Sequence, residues 1–201
     1  MNSLHYTPNN NLLRLAKLNA FAQKMYDANL DNDHFKMMDI TNQEVQDFLQ
    51  SLYDNKVQYM LVGGVATVFH GHIRTTQDLD LWVKETPDNK KRLIKAFHQV
   101  DVSAADRYEN VPMIPGWSTV TIGDNGFVAD LMGYMKLFKK EHFDECYKRA
   151  RHGEFDGIPI TVIMLNDLIE EKEKSARPKD LEDVKHLKII QKKNKNKGLS
   201  M

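Results

Sequence analysis

The chain has 201 residues with 28 basic and 28 acidic side chains, so its formal net charge is zero. This length predicts one or two domains with a sizeable core. The neutral charge argues against a strongly basic nucleic-acid module, although local basic patches are compatible with it. Cys146 is the only cysteine, which excludes an intrachain disulfide and a thiolate zinc cluster. Neither a signal-peptide pattern nor an apolar run of membrane-spanning length occurs, so we expect a cytoplasmic protein without a membrane partner.

The N-terminal quarter of the chain predicts two helices. Residues 1–10 are polar and expected to fray, and apolar side chains then recur on one broad helical face. That face comprises Leu12, Leu13, Leu15, Ala16, Leu18, Ala20, Phe21 and Met25. After a charged, amide-rich break at residues 29–33, Thr41 followed three residues later by Glu44 forms the capping-box pattern. We expect a second helix from Thr41 to about Asp54, and a helical pair that covers one face of a sheet; an arm that binds a partner protein is the alternative.

The most informative stretch begins with a short apolar strand that leads into Gly63-Gly64 and a helix of small residues. A second strand follows and carries Asp78 and Asp80. Because side chains alternate between the two faces of a strand, these carboxylates project from the same face. Two carboxylates beside a glycine turn make a hard-oxygen site suited to Mg²⁺, with phosphate oxygens as the remaining ligands.

Beyond Val83 the sequence alternates between predicted helices and strands. These are a helix opened by Thr86-Pro87, strands at 119–122 and 127–131, a helix at 138–151, a strand at 158–163, and helices from Asn166 or Asp167 to Lys174 and from 179 to 190. Asn125-Gly126 indicates an antiparallel hairpin, and Pro159 favours an edge position for the last strand. Residues 101–115 are irregular and form a candidate lid. This order predicts an α/β (α+β) fold with a mixed sheet packed by helices.

A resemblance to the nucleotidyltransferase (DNA polymerase beta-like) superfamily rests on the spacing Gly63-Gly64, thirteen residues, Asp78-Leu79-Asp80. The denser pattern Arg74-x-Thr76-x-Asp78-x-Asp80 is similar to that of antibiotic nucleotidyltransferases and of abortive-infection toxin-type transferases. Residues 167–183 are similar to a helical segment of the toxin-type members. The resemblance covers roughly residues 58–187 and does not include the part of the chain before Thr41. We therefore expect an N-terminal helical extension at residues 1–40, a nucleotidyltransferase core at 41–163, C-terminal helices at 164–190 and a basic disordered tail at 191–201.

The resemblance implies transfer of a nucleoside monophosphate from a nucleoside triphosphate, such as ATP, to a hydroxyl, with two Mg²⁺ ions. Asp78 and Asp80 are the expected ligands of the nucleotide metal. Asp130 is the expected third carboxylate, which completes the second metal site and orients or deprotonates the acceptor.

The remaining expected contacts are with the nucleotide. Gly63 and Gly64 leave room for phosphates to approach backbone N–H groups. Arg74 either clamps a phosphate or forms an ion pair with one of the carboxylates. Thr76 is a nucleotide ligand or a structural hydroxyl, and Lys172 is expected to neutralise triphosphate charge.

The acceptor stays open at this stage: an antibiotic-like small molecule, a protein side chain or an RNA end all fit, and the neutral charge disfavours RNA. A second class of function is a non-catalytic regulator or toxin–antitoxin component that binds a partner through its N-terminal helices. A nucleotide sensor without transfer is a third hypothesis. An enzyme requires Asp78, Asp80 and Asp130 to converge on an open cleft, whereas a binding module does not.

Three aromatic side chains near these motifs have structural interpretations. Trp82 and Trp117 are expected in the core or in a cleft wall, and Trp117, in the loop before the hairpin, could line a pocket. His70 is interpreted as a packing or loop-bonding residue, because His70 and His72 do not share a helical face.

Overall fold

The computed structural model describes residues 7–28, 36–196 and 198. The break predicted at residues 29–33 lies outside the described residues, as does most of residues 1–10 and the end of the tail. The strands of the described part are β1 (Thr7–Pro8), β2 (Tyr59–Leu61), β3 (Asp78–Val83), β4 (Thr119–Ile122), β5 (Phe127–Met132), β6 (Arg151–Phe155) and β7 (Ile158–Val162). Its α-helices are α1 (Asn10–Asp27), α2 (Gln43–Asp54), α3 (Gly63–Phe69), α4 (Pro87–Gln99), α5 (Phe143–Arg149), α6 (Leu165–Ser175) and α7 (Pro178–Asn196).

The strands form one mixed sheet in the order β1-β6-β7-β2-β3-β5-β4. Strand β3 is antiparallel to β2 and parallel to β5, while β4–β5 and β6–β7 are antiparallel hairpins. Helices pack against this sheet, with α2 against β7 and α3 against β3. The predicted α/β fold with a mixed, helix-packed sheet is therefore confirmed.

Strand β3 shows why the site lies where it does. Leu79 and Leu81 are fully buried, whereas Asp78 and Asp80 alternate with them and remain partly exposed. Strand β5 repeats the pattern, with Ala129 buried and Asp130 partly exposed. Because the period is two residues, burial of the leucines directs the carboxylates to the opposite face of the sheet.

Helix α1 buries a narrower face than its sequence predicts. The buried positions are Leu12, Leu15, Ala16 and Asn19, which follow the spacing of one helical face. Leu13, Phe21 and Met25 are 48, 63 and 62% exposed, so the prediction of one broad apolar face is wrong. The polar Asn19 replaces apolar packing at the end of the buried row, where its Nδ2 donates to the carbonyls of Met38 (2.6 Å) and Thr76 (2.9 Å).

The predicted capping box at the start of α2 is wrong. Asn42 is the N-cap, and its side chain accepts a hydrogen bond from the Glu44 backbone N–H at 2.9 Å. The Glu44 carboxylate instead accepts from the backbone N–H groups of Asp124 (3.0 Å) and Asn125 (3.2 Å). A tertiary contact to the β4–β5 turn has thus replaced the local one, and it fixes the hairpin that carries Asp130.

The edge position predicted for β7 is also wrong, because residues 151–155 form strand β6 rather than the end of a helix. Asp156 and Gly157 both have positive φ (51° and 81°) and make the two-residue turn between β6 and β7. Strand β2 pairs with β7 only at Leu61 and Val162. Pro159 is tolerated inside the sheet because β2 does not reach it.

Two predictions about the C-terminal helices need correction. Helix α6 begins after Met164 without a side-chain cap, and Asp167 in its first turn binds Arg149 at 2.8 Å instead of capping the helix. Helix α7 continues to Asn196, beyond the predicted end at Ile190, so residues 191–196 of the predicted disordered tail are helical. Within the described residues, no helix combines the length and apolarity that a membrane span needs.

Candidate active site

Three carboxylates converge at the centre of the sheet. The parallel register of β3 and β5 sets Asp80 directly opposite Asp130, and Asp78 lies one step along the same face. One carboxylate oxygen from each residue lies within 4.8 Å of the others, and all three residues are partly exposed. Clustered carboxylate oxygens open to solvent are the ligands that Mg²⁺ prefers, so the residues present fit a divalent cation.

The glycine pair allows α3 to lie against these carboxylates. Gly63 has φ +58°, and a Cβ there would lie 1.8 Å from Asp80 Oδ2; a Cβ on Gly64 would lie 2.1 Å from Thr76 Oγ1. The backbone N–H of Gly64 donates to Asp80 Oδ2 at 3.3 Å. Any side chain at either position would displace Asp80 or the loop before β3. The space that the glycines leave is therefore filled by Asp80 and Thr76.

The electrostatics of the cluster are unfavourable for three free carboxylates. Burial, followed by repulsion from Asp78, raises the pKa of Asp80 to about 6; the Gly64 N–H opposes this rise and Asp130 adds to it. A divalent cation bound between these oxygens would relieve the repulsion.

Thr119 is a site residue that the sequence reasoning missed. Its hydroxyl donates to Asp130 Oδ1 at 2.6 Å, because the β4–β5 register places Thr119 opposite Asp130. The contact occupies one oxygen of Asp130 and orients the carboxylate. The signal was present in the sequence, since a four-residue connection at 123–126 pairs Ile122 with Phe127, and counting back from that pair sets Thr119 opposite Asp130.

A buried ion network lies behind the carboxylates. Asp183 receives a bidentate contact from Arg74 (2.7 and 2.9 Å) and a contact from Lys172 Nζ at 2.8 Å. Lys172 also contacts Asp180 at 3.1 Å, and Arg177 binds the same carboxylate at 2.6 Å. Although burial would raise it, the pKa of Asp180 falls to about 2 because of Arg177 and Lys172. The structure thus pairs Arg74 with Asp183 on α7, and not with Asp78 or Asp80.

This network and α1 fix the loop that leads into β3. Arg74 Nη1 donates to the carbonyl of Thr75 at 2.7 Å. The carbonyl of Thr76 accepts from Asn19 and from the backbone N–H of Met38 (3.2 Å). The position of Asp78 and Asp80 therefore depends on contacts from α1 and α7. In the sequence, α1 precedes the predicted core at residues 41–163 and α7 follows it.

A cavity of about 520 Å³ opens beside the carboxylates. Asp80 and Asp130 line it, together with the apolar side chains of Met132, Met135 and Leu168. Pro115, at the end of the predicted lid, and the adjacent Gly116 also border it. The predicted lid is not wholly irregular, because residues Ala105–Glu109 form a 3₁₀ helix. Asp80 and Asp130 thus open onto this cleft, and Asp78 belongs to the same carboxylate cluster.

Basic side chains border the same cavity. Lys136 Nζ donates to the carbonyl of Ser175 (3.2 Å) and Lys139 Nζ to that of Met135 (3.0 Å), so neither is neutralised by these contacts. Lys174 is exposed and has no anionic partner among the described residues. Lys172, by contrast, is only 4% exposed and is held by two carboxylates. The cavity is bordered by cations available to an anionic ligand.

The aromatic residues divide into buried and exposed. Trp82 is fully buried and its Nε1 donates to the carbonyl of Gly133 at 3.1 Å, as expected of a core residue. Trp117 is 86% exposed, so the expectation of a core position is wrong for it. His70 is half-buried and hydrogen-bonded to the carbonyl of Ile163 (2.7 Å), and desolvation of the ring lowers its pKa to about 4. This agrees with its interpretation as a loop-bonding residue.

A mixed sheet that presents three carboxylates beside a glycine turn and an open cleft is the arrangement expected of a nucleotidyltransferase. The family model described as a nucleotidyltransferase of unknown function (DUF6036) matches residues 35–197, and the chain belongs to this family. The predicted resemblance to nucleotidyltransferases is thereby confirmed.

One solved structure similar to this chain is that of the lincosamide antibiotic adenylyltransferase LnuA with lincomycin bound. The two share 16% sequence identity with a TM-score of 0.48, over 75% of this chain and 98% of that chain. None of the curated proteins with which the chain was compared matches it.

Proposed function

We propose that the protein is a Mg²⁺-dependent enzyme that transfers a nucleoside monophosphate from a nucleoside triphosphate to a hydroxyl. The observation that carries this proposal is the cluster of Asp78, Asp80 and Asp130, of which Asp80 and Asp130 line one open cavity. A non-catalytic regulator has no need of clustered carboxylates that repel one another and are left accessible to a ligand. Membership of a nucleotidyltransferase family supports the same reaction class.

Each carboxylate has a distinct proposed role. Asp78 and Asp80 would hold the metal that carries the triphosphate, and Asp80 with Asp130 would hold a second ion. Two bound Mg²⁺ ions supply charge stabilisation for the attacking and leaving oxygens of an in-line displacement. Asp130 orients the acceptor hydroxyl or accepts its proton as the new P–O bond forms and pyrophosphate leaves. No covalent intermediate with the protein is required.

We propose that the triphosphate lies along the basic border of the cavity. Lys136, Lys139 and Lys174 are exposed there, and an exposed ammonium can approach a phosphate without breaking a buried ion pair. Arg74 and Lys172 would then support the site structurally and would not bind phosphate, because Asp183 pairs with both of them and Asp180 pairs with Lys172. In the same way, Gly63 and Gly64 act by making room for Asp80 and Thr76 rather than by yielding space to phosphate, and the Thr76 hydroxyl lies 3.5 Å from Asp78 Oδ1.

A transfer screen tests the proposed function. The protein is incubated with Mg²⁺ and each of the four α-labelled ribonucleoside triphosphates, ATP among them, against cellular RNA, cellular protein and a panel of hydroxylated small molecules. We expect label to move to one acceptor class, and to do so only when the metal is present. Absence of transfer, combined with retained Mg²⁺-dependent nucleotide binding, would favour the nucleotide sensor instead.

Replacing Thr119 by Val is expected to reduce transfer about tenfold, because loss of an outer-shell hydrogen bond to a metal ligand typically costs 10–100-fold and this bond is exposed. Thr121→Val is the matched control, since Thr121 lies on the same strand and is also exposed but opposes Val128. Initial rates of both variants give the comparison. Equal rates for the two variants would show that the Thr119 hydroxyl does not orient Asp130 for catalysis.

A further inference from the structure

An apolar surface lies on the segment that precedes β4. Trp117 is 86% exposed, and on the same segment Val111 and Ile114 are 42% and 39% exposed. We call these three residues the Trp117 platform. Burial of a tryptophan is among the largest apolar gains available to a side chain, and Trp82 in this chain is fully buried. An exposed tryptophan with exposed apolar neighbours indicates a surface that binds another molecule.

The platform is held in place by hydrogen bonds. The backbone N–H groups of Trp117 and Ser118 donate to the carbonyl of Ile114 (3.0 and 3.1 Å), and the N–H of Ile114 donates to Ser118 Oγ at 2.9 Å. Met113 between them is fully buried, and its carbonyl accepts from Gly133 at 2.8 Å. A surface fixed in this way loses little conformational entropy when a ligand binds.

Ile114 and Trp117 of the platform flank the two residues of this segment that border the candidate active site. Pro115 and Gly116, immediately before Trp117, border the cavity that contains Asp80 and Asp130. The backbone of Ser118 accepts from Leu131, and Thr119 binds the Asp130 carboxylate. Trp117 therefore lies two residues from a side chain that contacts the carboxylate proposed to orient the acceptor. The basic border of the cavity is formed mainly by a different segment, residues 136–177.

We infer that the Trp117 platform is the acceptor subsite, and that the acceptor is a small hydroxyl-bearing molecule with an aromatic or flat apolar face. This inference rests on the proposed function. The flat face stacks on Trp117 and contacts Ile114, which leaves the hydroxyl free to reach Asp130 across Pro115 and Gly116. Stacking on a fixed aromatic ring requires only a flat face on the ligand and accepts different substituents around it, so several related acceptors would bind.

Charge favours a small molecule over an RNA end at this subsite. Residues 111–118 contain no basic side chain. A protein that binds single-stranded RNA combines stacking with a positively charged groove along the backbone. Two basic side chains from other elements reach this segment: Lys90, which donates to the Val111 carbonyl and is paired with Glu85 at 3.4 Å, and Arg107, which donates to the Thr119 carbonyl. Arg107 has no acidic partner among the described residues, and this one charge does not make a groove. The lysines that border the cavity lie where we place the triphosphate.

Two-dimensional NMR of the ¹⁵N-labelled protein tests the subsite directly. The chain has two tryptophans, so two indole N–H signals are expected. The Trp82 indole N–H is buried and bonded to the Gly133 carbonyl, so we expect it to exchange slowly with water, and the exposed Trp117 indole N–H to exchange fast. The probes are tyrosol and benzyl alcohol, with sorbitol and myo-inositol as hydroxylated compounds that lack an apolar face. We expect the aromatic alcohols to shift the Trp117 signal, and the polyols to leave it unchanged.

Variants measure the contribution of the ring. Ligand-observed NMR of the same aromatic alcohols should show affinity reduced about five- to tenfold in Trp117→Ala and largely kept in Trp117→Phe. Phe21→Ala is the control, because Phe21 is an exposed aromatic on α1, a helix that does not border the cavity, and it should bind as the unaltered protein does.

Four outcomes overturn the inference. Aromatic alcohols that leave the Trp117 signal unmoved exclude the platform as their site, and so does a loss in Phe21→Ala equal to that in Trp117→Ala. A short oligoribonucleotide with a free 3′ hydroxyl that binds the platform more tightly than the alcohols reassigns the acceptor to RNA. The NMR experiments measure binding and not transfer, so a failure to detect transfer would count against the proposed function alone. If transfer occurs and is unchanged in Trp117→Ala, this inference alone is contradicted.

Discussion

Replacing Asp80 by Asn is expected to abolish Mg²⁺-dependent nucleotide binding and to reduce transfer by more than about a hundredfold. Mutation of a residue that only hydrogen-bonds to a metal ligand typically reduces metal affinity or activity about 10–100-fold, and loss of the ligand itself should reduce it further. Asp80 lies between Asp78 on its own strand and Asp130 on the next, so both proposed metal positions share it. The amide keeps the shape of the side chain and removes a charge. No neighbouring carboxylate among the described residues is placed to replace it.

The fold should survive this substitution. Burial and repulsion raise the pKa of Asp80 to about 6, which means that ionised Asp80 is a cost to the metal-free protein. Without that charge, the metal-free variant should melt at the same temperature as the unaltered protein or slightly above it. Loss of function would then be separable from loss of structure.

Thermal melting with and without ligand gives the measurement. At a triphosphate concentration of about a hundred times Kd, binding stabilises a protein by about 2.7 kcal/mol. For a chain of this size that corresponds to a rise in Tm of about 5–10 °C. We expect this rise in the unaltered protein with Mg²⁺, in the control Asp124→Asn at an exposed turn, and not in Asp80→Asn. Identical rises in all three proteins would show that the site is assigned to the wrong residues.

Replacing Asp183 by Asn is expected to cost about 3–5 kcal/mol of unfolding free energy, because removing one partner from a buried ion network leaves charge uncompensated. Asp183 has a 2% exposed side chain and holds both Arg74 and Lys172. Loss of its charge leaves Lys172, itself 4% exposed, with Asp180 alone. The expected fall in Tm is on the order of 10 °C.

Glu182 offers a matched control on the same helix. Its carboxylate is exposed and contacts Lys185 at 2.9 Å and His186 at 3.2 Å. Exposed pairs of this kind contribute about 0–1 kcal/mol, so Glu182→Gln should melt within a few degrees of the unaltered protein. If Asp183→Asn melts as Glu182→Gln does, the network does not stabilise the fold.

The same network distinguishes two roles for Lys172. A lysine that binds the triphosphate directly would, when changed to Met, weaken nucleotide affinity without lowering Tm. A buried lysine that holds α7 against α6 would lower Tm, and its loss would be strongly coupled to that of Asp183 in a double-mutant cycle. We expect the second result, because Lys172 contacts Asp180 and Asp183 at 3.1 and 2.8 Å.

Local patterns in the sequence were sufficient to place the carboxylates on strands. Alternation around Leu79 and Leu81 put Asp78 and Asp80 on one face, and the Asn125-Gly126 turn defined the hairpin that carries Asp130. These features depend on a two-residue period and on turn chemistry, both of which are visible within a few residues. The mixed sheet followed from the same local signals.

Contacts between distant segments could not be read in this way. Arg74 and Asp183 are 109 residues apart, and nothing local to either residue shows that α7 returns to the loop before β3. Glu44 had a plausible local role as a capping residue, yet tertiary contacts to the β4–β5 turn were available and displaced it. Tertiary structure decides between alternatives that are locally equivalent.

Strand β6 was missed for a different reason. Its sequence, Arg-His-Gly-Glu-Phe, contains few residues that favour strands, and the preceding charged segment favoured a helix that continued through Arg151. Asp156-Gly157 was the available signal, since this pair favours a two-residue hairpin turn. Recognising it would have placed a strand before Ile158 and moved β7 from the edge of the sheet to its interior.

Metal binding by Asp78 and Asp80 is tested directly by a crystal structure of the protein with Mn²⁺ and a triphosphate whose α,β bridge cannot be cleaved. Anomalous scattering locates Mn²⁺ independently of the rest of the electron density. We predict metal bound to carboxylate oxygens of Asp78 and Asp80 at about 2.0–2.2 Å, with the triphosphate directed toward Lys136, Lys139 and Lys174. Manganese absent from these carboxylates while the nucleotide is bound elsewhere on the chain would contradict the central claim.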